Sequence, residues 1–164
     1  MKIKYTELFI FIVSAELVGA LSALITGDFA GFFDRYASPL LMPPAWLFPV
    51  VWAVLYALMG ISAYLIYFYD GSADKKRALW IYAAQLAVNF SWSIVFFKYE
   101  KLWAGATVII LLIVLVMLMI TAFKKISPTA AWLNVPYLLW LIFAAYLNIA
   151  TAVINCCLLY TSDA

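Results

Sequence analysis

Aromatic rings and side-chain amides recur at helical spacing in the apolar parts of this chain. Trp52 and Tyr56 are four residues apart, and Gln85, Asn89 and Trp92 follow the same periodicity further along. Residues separated by three or four positions share one face of an α-helix. Flat rings beside a few amides suit a planar, mostly apolar ligand that is held by stacking and one or two hydrogen bonds. Hydrogen bonding of the amides between helices is the alternative.

A third stripe of this kind lies near the end of the chain. Four-residue steps join Pro136, Trp140, Ala144 and Asn148, so that bulky rings alternate with a small residue that lets another group approach. The deep tryptophans 52, 92 and 140 lie beside polar groups. Tryptophans 80, 103 and 132 lie near the ends of apolar runs, where interfacial aromatic belts are expected.

Glu16 is an acid inside the first apolar run. A charged group in hydrocarbon is costly, so such residues are functional candidates. Glu16 either binds a cationic group or relays a proton, or else it is a protonated carboxyl that hydrogen-bonds between helices. The sequence leaves these alternatives open.

The helices that position these residues must lie in a membrane. The chain has 164 residues, of which 69% are hydrophobic and 11% charged. This is more apolar surface than a soluble core uses. A net charge of +2 does not indicate nucleic-acid binding. The chain has no histidine, so we expect no metal site and no obligatory cofactor.

Five apolar runs are long enough to cross a bilayer core, which takes roughly 20 helical residues. They predict an all-α membrane protein, a bundle of five transmembrane helices in one domain of residues 1–156, with spans at about 5–25, 45–69, 78–97, 102–123 and 130–155. Pro43 and Pro44 are predicted to start the second helix, because proline is tolerated in a first turn. The long segment between the first two spans, residues 26–43 (the first connection), is predicted to be a functional loop or lid.

The end of the chain is unusual. Residues 157–164 match a translation of a transposase adapter from sequencing libraries, so we expect that they are not native. The adjacent Cys156 and Cys157 rarely have the geometry of a disulfide and indicate nothing about the redox compartment.

The basic residues predict an orientation, because cytoplasmic loops carry more Lys and Arg. Seven lie on the amino-terminal side (2, 4, 75, 76, 77, 124 and 125), and three lie on the opposite side (35, 98 and 101). We expect an integral protein of the bacterial inner membrane, with a cytoplasmic N-terminus and the first loop outside.

Four runs, in order, carry a family resemblance. They are Pro43-Pro44-x-Trp46 with Trp52-x-x-Leu55-Tyr56-x-x-Met59-Gly60; Gln85-Leu86-Ala87-x-Asn89-x-x-Trp92; Trp103 after a short turn; and Pro136-Tyr137-Leu138-x-Trp140-Leu141-x-Phe143-Ala144-x-x-Leu147-Asn148. These runs resemble helices two to five of the tryptophan-rich sensory protein / translocator protein family (TspO/MBR, formerly the peripheral benzodiazepine receptor). The match covers about residues 15–150.

The resemblance implies a five-helix bundle, a homodimer in many members, with a pocket beneath the first loop. It implies a porphyrin such as protoporphyrin IX, or haem, as the ligand, and a sterol in some members. Membrane lipid is the other expected partner. By position, the pocket would be lined by Trp52, Asn89, Trp103, Trp140 and Ala144, with Pro43, Pro44 and Tyr56 near its mouth.

The chain departs from the family pattern in its first loop. Leu41 stands where a tryptophan often precedes the double proline, and the loop carries Phe32, Phe33 and Tyr36 but no tryptophan. Phenyl rings can still stack on a planar ligand, while an activity that depends on the loop tryptophan is in doubt.

These observations predict a membrane tetrapyrrole-binding protein that senses or modulates porphyrin levels and prefers metal-free protoporphyrin to haem. One alternative is an enzyme that degrades porphyrin under light and oxygen, with Trp52 and Trp140 as redox-active residues. Another alternative is a small-molecule transporter that uses Glu16 for proton coupling.

Overall fold

The computed structural model describes residues 3–27, 29–70 and 74–162, and it is a bundle of helices. The prediction of an all-α membrane protein with five spans is confirmed, because five helical segments are long and apolar enough to cross a membrane. The elements are α1 Tyr5–Thr26, α2 Phe29–Arg35, α3 Leu47–Tyr67, α4 Lys75–Ser93, a π-helical turn Ile94–Lys98 (the π-turn), α5 Leu102–Lys124, α6 Pro128–Trp132 and α7 Val135–Ser162.

The second span begins later than predicted. Helix α3 starts at Leu47, two residues after the approximate start at 45, and the double proline precedes the helix instead of starting it. The carbonyl of Pro44 accepts a hydrogen bond of 2.9 Å from the Leu47 N–H. The proline in the first turn is Pro49, whose missing N–H would have no partner within the helix at that position.

The predicted fifth span is two helices. Helices α6 and α7 are separated at residues 133–134, where the chain turns. The Asn134 amide donates to the carbonyl of Ala130 over 2.8 Å and to Ser62 Oγ on α3 over 2.5 Å. An amide bonded to nearby backbone competes with the helical ladder, which explains a break inside a long apolar run.

The first connection contains helix α2, although the sequence predicted a loop there. Phe32 of α2 is 1% exposed and packs against Phe96 and Phe97 of the π-turn, with ring centroids 5.1 and 4.9 Å away. Burial of Phe32 therefore helps to hold this short helix, since an isolated helix of this size is unstable in water.

Helices α1 and α3 approach each other unusually closely. A Cβ atom on Gly60 would lie 2.7 Å from both the Ile12 Cα and the Phe11 carbonyl oxygen, so only glycine permits this backbone contact. Small residues commonly allow such close crossings between membrane helices. The contact fixes α1 beside α3, while α4 packs against α1, α3 and α5.

The π-turn continues α4 with a wider turn. The Tyr99 N–H bonds to the carbonyl of Ile94 over 3.0 Å, five residues back. Phe96 and Phe97 are both buried, although an α-helix would separate their directions by about 100°. Turns of this kind are frequent at functional sites.

Two expectations concern residues or side chains that the structure does not describe. Lys2 lies outside the described residues, as do the side chains of Phe33 and of residues 157–162. The expectation that residues 157–164 are not native therefore stays an expectation.

Candidate functional site

A cavity of about 390 Å³ lies between α1, α3 and α4 and is called the main cavity. It lies near the end of the bundle that carries the first connection. This volume falls within the range of small-molecule sites. Its wall is mostly apolar and aromatic, and it is formed by Glu16, Gly19, Ala20, Ser22, Ala23, Thr26, Gly27, Phe48, Pro49, Trp52, Ala53, Tyr56, Asn89, Trp92, Ser93 and Phe97.

Small residues on α1 make room for the cavity. Gly19, Ala20 and Ala23 lie on the same helical face as Glu16, because they follow it by three, four and seven positions. A Cβ on Gly19 would lie 2.6 Å from Cδ2 of Tyr56. The absence of a side chain at this position therefore sets where the Tyr56 ring can lie.

The opposite wall is aromatic. Trp52 is central to it, with ring centroids 5.7 Å from Tyr56 and 5.8 Å from Trp92. Trp92 in turn stacks on Phe96 at 6.2 Å, with an interplanar angle of 16°. The structure thus brings the predicted residues Trp52, Tyr56 and Trp92 into one wall of the cavity.

Asn89 links this wall to a buried polar network. Its Nδ2 donates to the Tyr137 hydroxyl over 3.1 Å, and that hydroxyl donates to Gln85 Oε1 over 3.0 Å. Asn89 lines the cavity, whereas Gln85 is fully buried one turn nearer the start of α4. The predicted ligand-facing amide at Gln85 is thus engaged in hydrogen bonding between helices, because Tyr137 of α7 occupies its oxygen.

Helix α7 reaches the site from behind Trp92. Trp92 Nε1 donates to Asn148 Oδ1 over 3.0 Å, and the Asn148 amide donates to the Ala144 carbonyl over 2.9 Å. Ala144 and Asn148 line a smaller cavity of about 20 Å³, together with Trp92 and Phe48. These two predicted residues therefore orient Trp92 and border a separate space.

The remaining predicted residues lie away from the main cavity. Trp140 packs edge-on against Phe48, with ring centroids 5.9 Å apart, and so stands behind the cavity wall. Trp103 is 56% exposed on the outside of α5, which agrees with a position in an aromatic belt. Pro43 and Pro44 lie in the segment before α3 and are not among the lining residues.

Hydrogen bonds and an ion pair attach the first connection to the rest of the bundle. Arg35 at the end of α2 forms an ion pair of 2.7 Å with Glu100, to which Tyr36 also donates a hydrogen bond of 2.9 Å. Burial, and then this hydrogen bond, raise the pKa of Tyr36. Further along, the Asn155 side chain accepts from the Ala37 N–H and donates to the Ala37 carbonyl, over 2.9 and 3.1 Å.

Comparison with known proteins places the chain in a family. The model of the TspO/MBR family matches residues 10–154. The chain belongs to the TspO/MBR family. The resemblance noted from its aromatic and proline runs is thereby confirmed, and membership agrees with an integral membrane protein of five apolar helices.

Relatives within the TspO/MBR family come from bacteria, archaea and animals. The chain is 35% identical over 128 residues to the tryptophan-rich protein TspO of Chlorobaculum tepidum, covering 76% of this chain and 79% of the relative. It is 35% identical over 150 residues to the protein of the same name from Archaeoglobus fulgidus, covering 85% and 97%. It is 34% identical over 126 residues to the translocator protein of Ovis aries, covering 76% and 75%.

Several lining residues were missed by the sequence analysis. The small residues of α1 were overlooked because they look like ordinary membrane-helix packing, although their shared face with Glu16 is a usable signal. Phe97 follows the run that resembles the family's third helix, but its spacing to Asn89 and Trp92 does not predict a place in the wall, since the π-turn directs it inward. Phe48 lies among the aromatic residues of the α3 start, but its spacing to Trp52 was not used.

Proposed function

We propose that this TspO/MBR protein binds a porphyrin-type tetrapyrrole in the main cavity and thereby senses or modulates porphyrin levels in its membrane. One observation supports this most: a cavity of about 390 Å³ whose wall joins the aromatic side chains of Trp52, Tyr56 and Trp92. Stacking on such faces is the natural way to hold a flat, mostly apolar macrocycle.

The names of relatives point in the same direction. A relative from Cereibacter sphaeroides, 32% identical over 145 residues, is called a tryptophan-rich sensory protein. The relative from Ovis aries is called a translocator protein. Sensing or passing on a small molecule requires a binding site first, and the main cavity is a suitable one.

We expect metal-free protoporphyrin to bind in preference to haem. The chain contains no histidine, and no Cys or Met is among the described residues that line the main cavity. These are the common axial ligands of haem iron. The remaining oxygens of Glu16 and Tyr56 are weaker ligands for this purpose, so the iron of haem would add little to the stacking that both molecules share.

Titration of the protein in nanodiscs with protoporphyrin IX tests the proposal. Saturable quenching of tryptophan fluorescence is expected, and Trp52→Ala should weaken it about tenfold, the loss expected from one stacked aromatic contact. Trp80→Ala is the matched control, because Trp80 is 68% exposed and outside the cavity. Absence of saturable binding would contradict the proposal, and a sharp six-coordinate haem spectrum would contradict the preference for the metal-free ring.

A second candidate function is the breakdown of porphyrin under light and oxygen. Trp52 is in the cavity wall, where it would contact a bound ring, whereas Trp140 is not among the lining residues and packs against Phe48. Illumination of the porphyrin complex under oxygen should then give products that depend on Trp52 more than on Trp140. Equal product formation by Trp52→Phe, Trp140→Phe and the parent protein would remove both tryptophans from such a mechanism.

A further inference from the structure

Glu16 places a carboxyl group in the wall of the main cavity. It lies at the middle of α1, and among the described lining residues it is the only acid, with no Lys or Arg beside it. No described residue forms a hydrogen bond or ion pair with its side chain. A carboxyl group in apolar surroundings requires either a proton or a positively charged partner.

Two more polar groups of the wall lack a partner for one of their atoms. Asn89 is 2% exposed and uses its Nδ2 to donate to Tyr137, while no described residue donates to its Oδ1. The hydroxyl of Tyr56, a residue 5% exposed, also has no hydrogen-bond partner among the described residues. Neither atom is among the fully buried unpaired atoms of the described residues, and both residues line the cavity, so these atoms are available to a ligand.

The chemistry of the wall is therefore rich in acceptors. Among the described lining residues it offers a carboxyl oxygen, an amide oxygen and a phenol oxygen, and none of these residues is Lys or Arg. The faces of Trp52 and Trp92 lie in the same wall, and aromatic faces attract cations. A ligand that fits this wall is flat, carries a positive charge and has N–H donors.

We propose that the main cavity accepts a second class of ligand, planar aromatic amines that carry a protonated nitrogen. Glu16 pairs with the charge, Asn89 Oδ1 accepts an N–H, and the ring stacks on Trp52. This inference rests on the main cavity being the ligand site, as in the proposed function, but it does not require porphyrin to be the ligand.

A matched pair of fluorescent probes tests the inference in neutral-lipid nanodiscs at pH 7.5. The probes are 9-aminoacridine, which is a cation at this pH, and acridine, which is neutral and of nearly the same shape. The parent protein should bind the cation about tenfold more tightly, as expected for one hydrogen-bonded charge pair. Equal affinities in the parent protein overturn the inference without recourse to any variant.

Variants then assign the preference to Glu16. In Glu16→Gln the affinity ratio of the two probes should fall towards one, and Glu16→Asp, which keeps the charge, should retain part of it. Glu7→Gln is the control, because it makes the same change on α1 outside the cavity wall. A ratio that is unchanged in Glu16→Gln, with an unchanged melting temperature, overturns the role of Glu16.

Protoporphyrin IX titrated into the same samples separates this inference from the proposed function. If the cation is preferred while protoporphyrin does not bind, the tetrapyrrole proposal fails and the inference stands. If protoporphyrin binds while the two acridines bind alike, the inference fails and the tetrapyrrole proposal stands.

Discussion

Gly19 controls the width of the main cavity through its contact with the ring of Tyr56. In Gly19→Ala the new Cβ would lie 2.6 Å from Tyr56 Cδ2, so the ring must move, and the open side is the cavity itself. We expect protoporphyrin to bind about tenfold more weakly, as for one extra methyl group in a fitted pocket. Fluorescence quenching measures this, with Ser14→Ala on the exposed side of α1 as the control.

The melting temperature separates two roles for Gly19. Alanine favours a helix over glycine, and a movable ring can absorb the added methyl group, so stability should be retained. A variant that melts earlier but binds protoporphyrin normally would show that Gly19 serves helix packing instead.

Trp92 combines a ring in the cavity wall with a buried hydrogen bond. Trp92→Phe keeps a ring but removes the donor to Asn148, whose Oδ1 is then left unpaired in a residue that is 3% exposed. The expected loss in the free energy of unfolding is about 1–3 kcal/mol, the usual cost of a buried unsatisfied group. Thermal unfolding in detergent measures it.

Trp103→Phe is the matched control for this change. Trp103 is 56% exposed, and a substitution on such a surface usually changes stability by less than about 0.5 kcal/mol. Equal destabilisation by the two variants would mean that the bond to Asn148 contributes little.

Among the elements, the segment after α2 is held to α7 by two side chains, Asn155 and Tyr146. Asn155 bonds both backbone groups of Ala37, while the Tyr146 hydroxyl donates to the Leu40 carbonyl over 2.7 Å. In Asn155→Ala the N–H and the carbonyl of Ala37 both lose their hydrogen bonds to residue 155, so we expect the first connection to detach from α7 more often. Protoporphyrin should dissociate severalfold faster, because lost contacts mainly change dissociation rates.

Stopped-flow displacement of bound porphyrin checks this prediction. Thr107→Ala provides the control, since Thr107 is exposed and its hydroxyl donates to the Trp103 carbonyl of its own helix. If Asn155→Ala leaves the dissociation rate unchanged, the ligand does not leave through the first connection.

The sequence predicts long helices better than the features that shape the site. Each span was predicted because its apolar run has the roughly 20 residues that a helix needs to cross the hydrocarbon core of a bilayer. Helix α2 was missed, since its stability comes from Phe32 packing on distant rings. The break at residue 134 was missed as well, because the competing hydrogen bonds of Asn134 involve Ser62 of another helix.

At the scale of the whole molecule, basic residues distinguish the two ends of the bundle. Tyr99 lies at the end with the first connection, and Asp74 lies at the opposite end, which carries more Lys and Arg. We expect the richer end to face the cytoplasm. In a background with serine at 156 and 157, Tyr99→Cys should react with an impermeant maleimide in intact cells, while Asp74→Cys should react only after lysis. The reverse pattern would invert the topology.

Part of the cavity wall was predictable from the spacing of residues within α3 and α4. Trp52 and Tyr56, like Asn89 and Trp92, share a helical face, and antiparallel neighbours α3 and α4 bring the two faces together. Which rings are separated from the cavity by another side chain depends on packing across the bundle. Trp140 stands behind Phe48 for this reason, and no spacing within α7 reveals it.

The wide turn at residues 94–98 has a consequence for length. A turn with hydrogen bonds between residues i and i+5 holds one residue more than an α-helical turn. Removing one residue from it would restore an ordinary helix and leave the chain after it pointing in nearly the same direction. Phe96 and Phe97 could then no longer both be buried, because neighbouring side chains of an α-helix point about 100° apart. The extra residue in this turn, more than its chemical identity, therefore places both rings in the core. A one-residue deletion here should be more harmful than most substitutions.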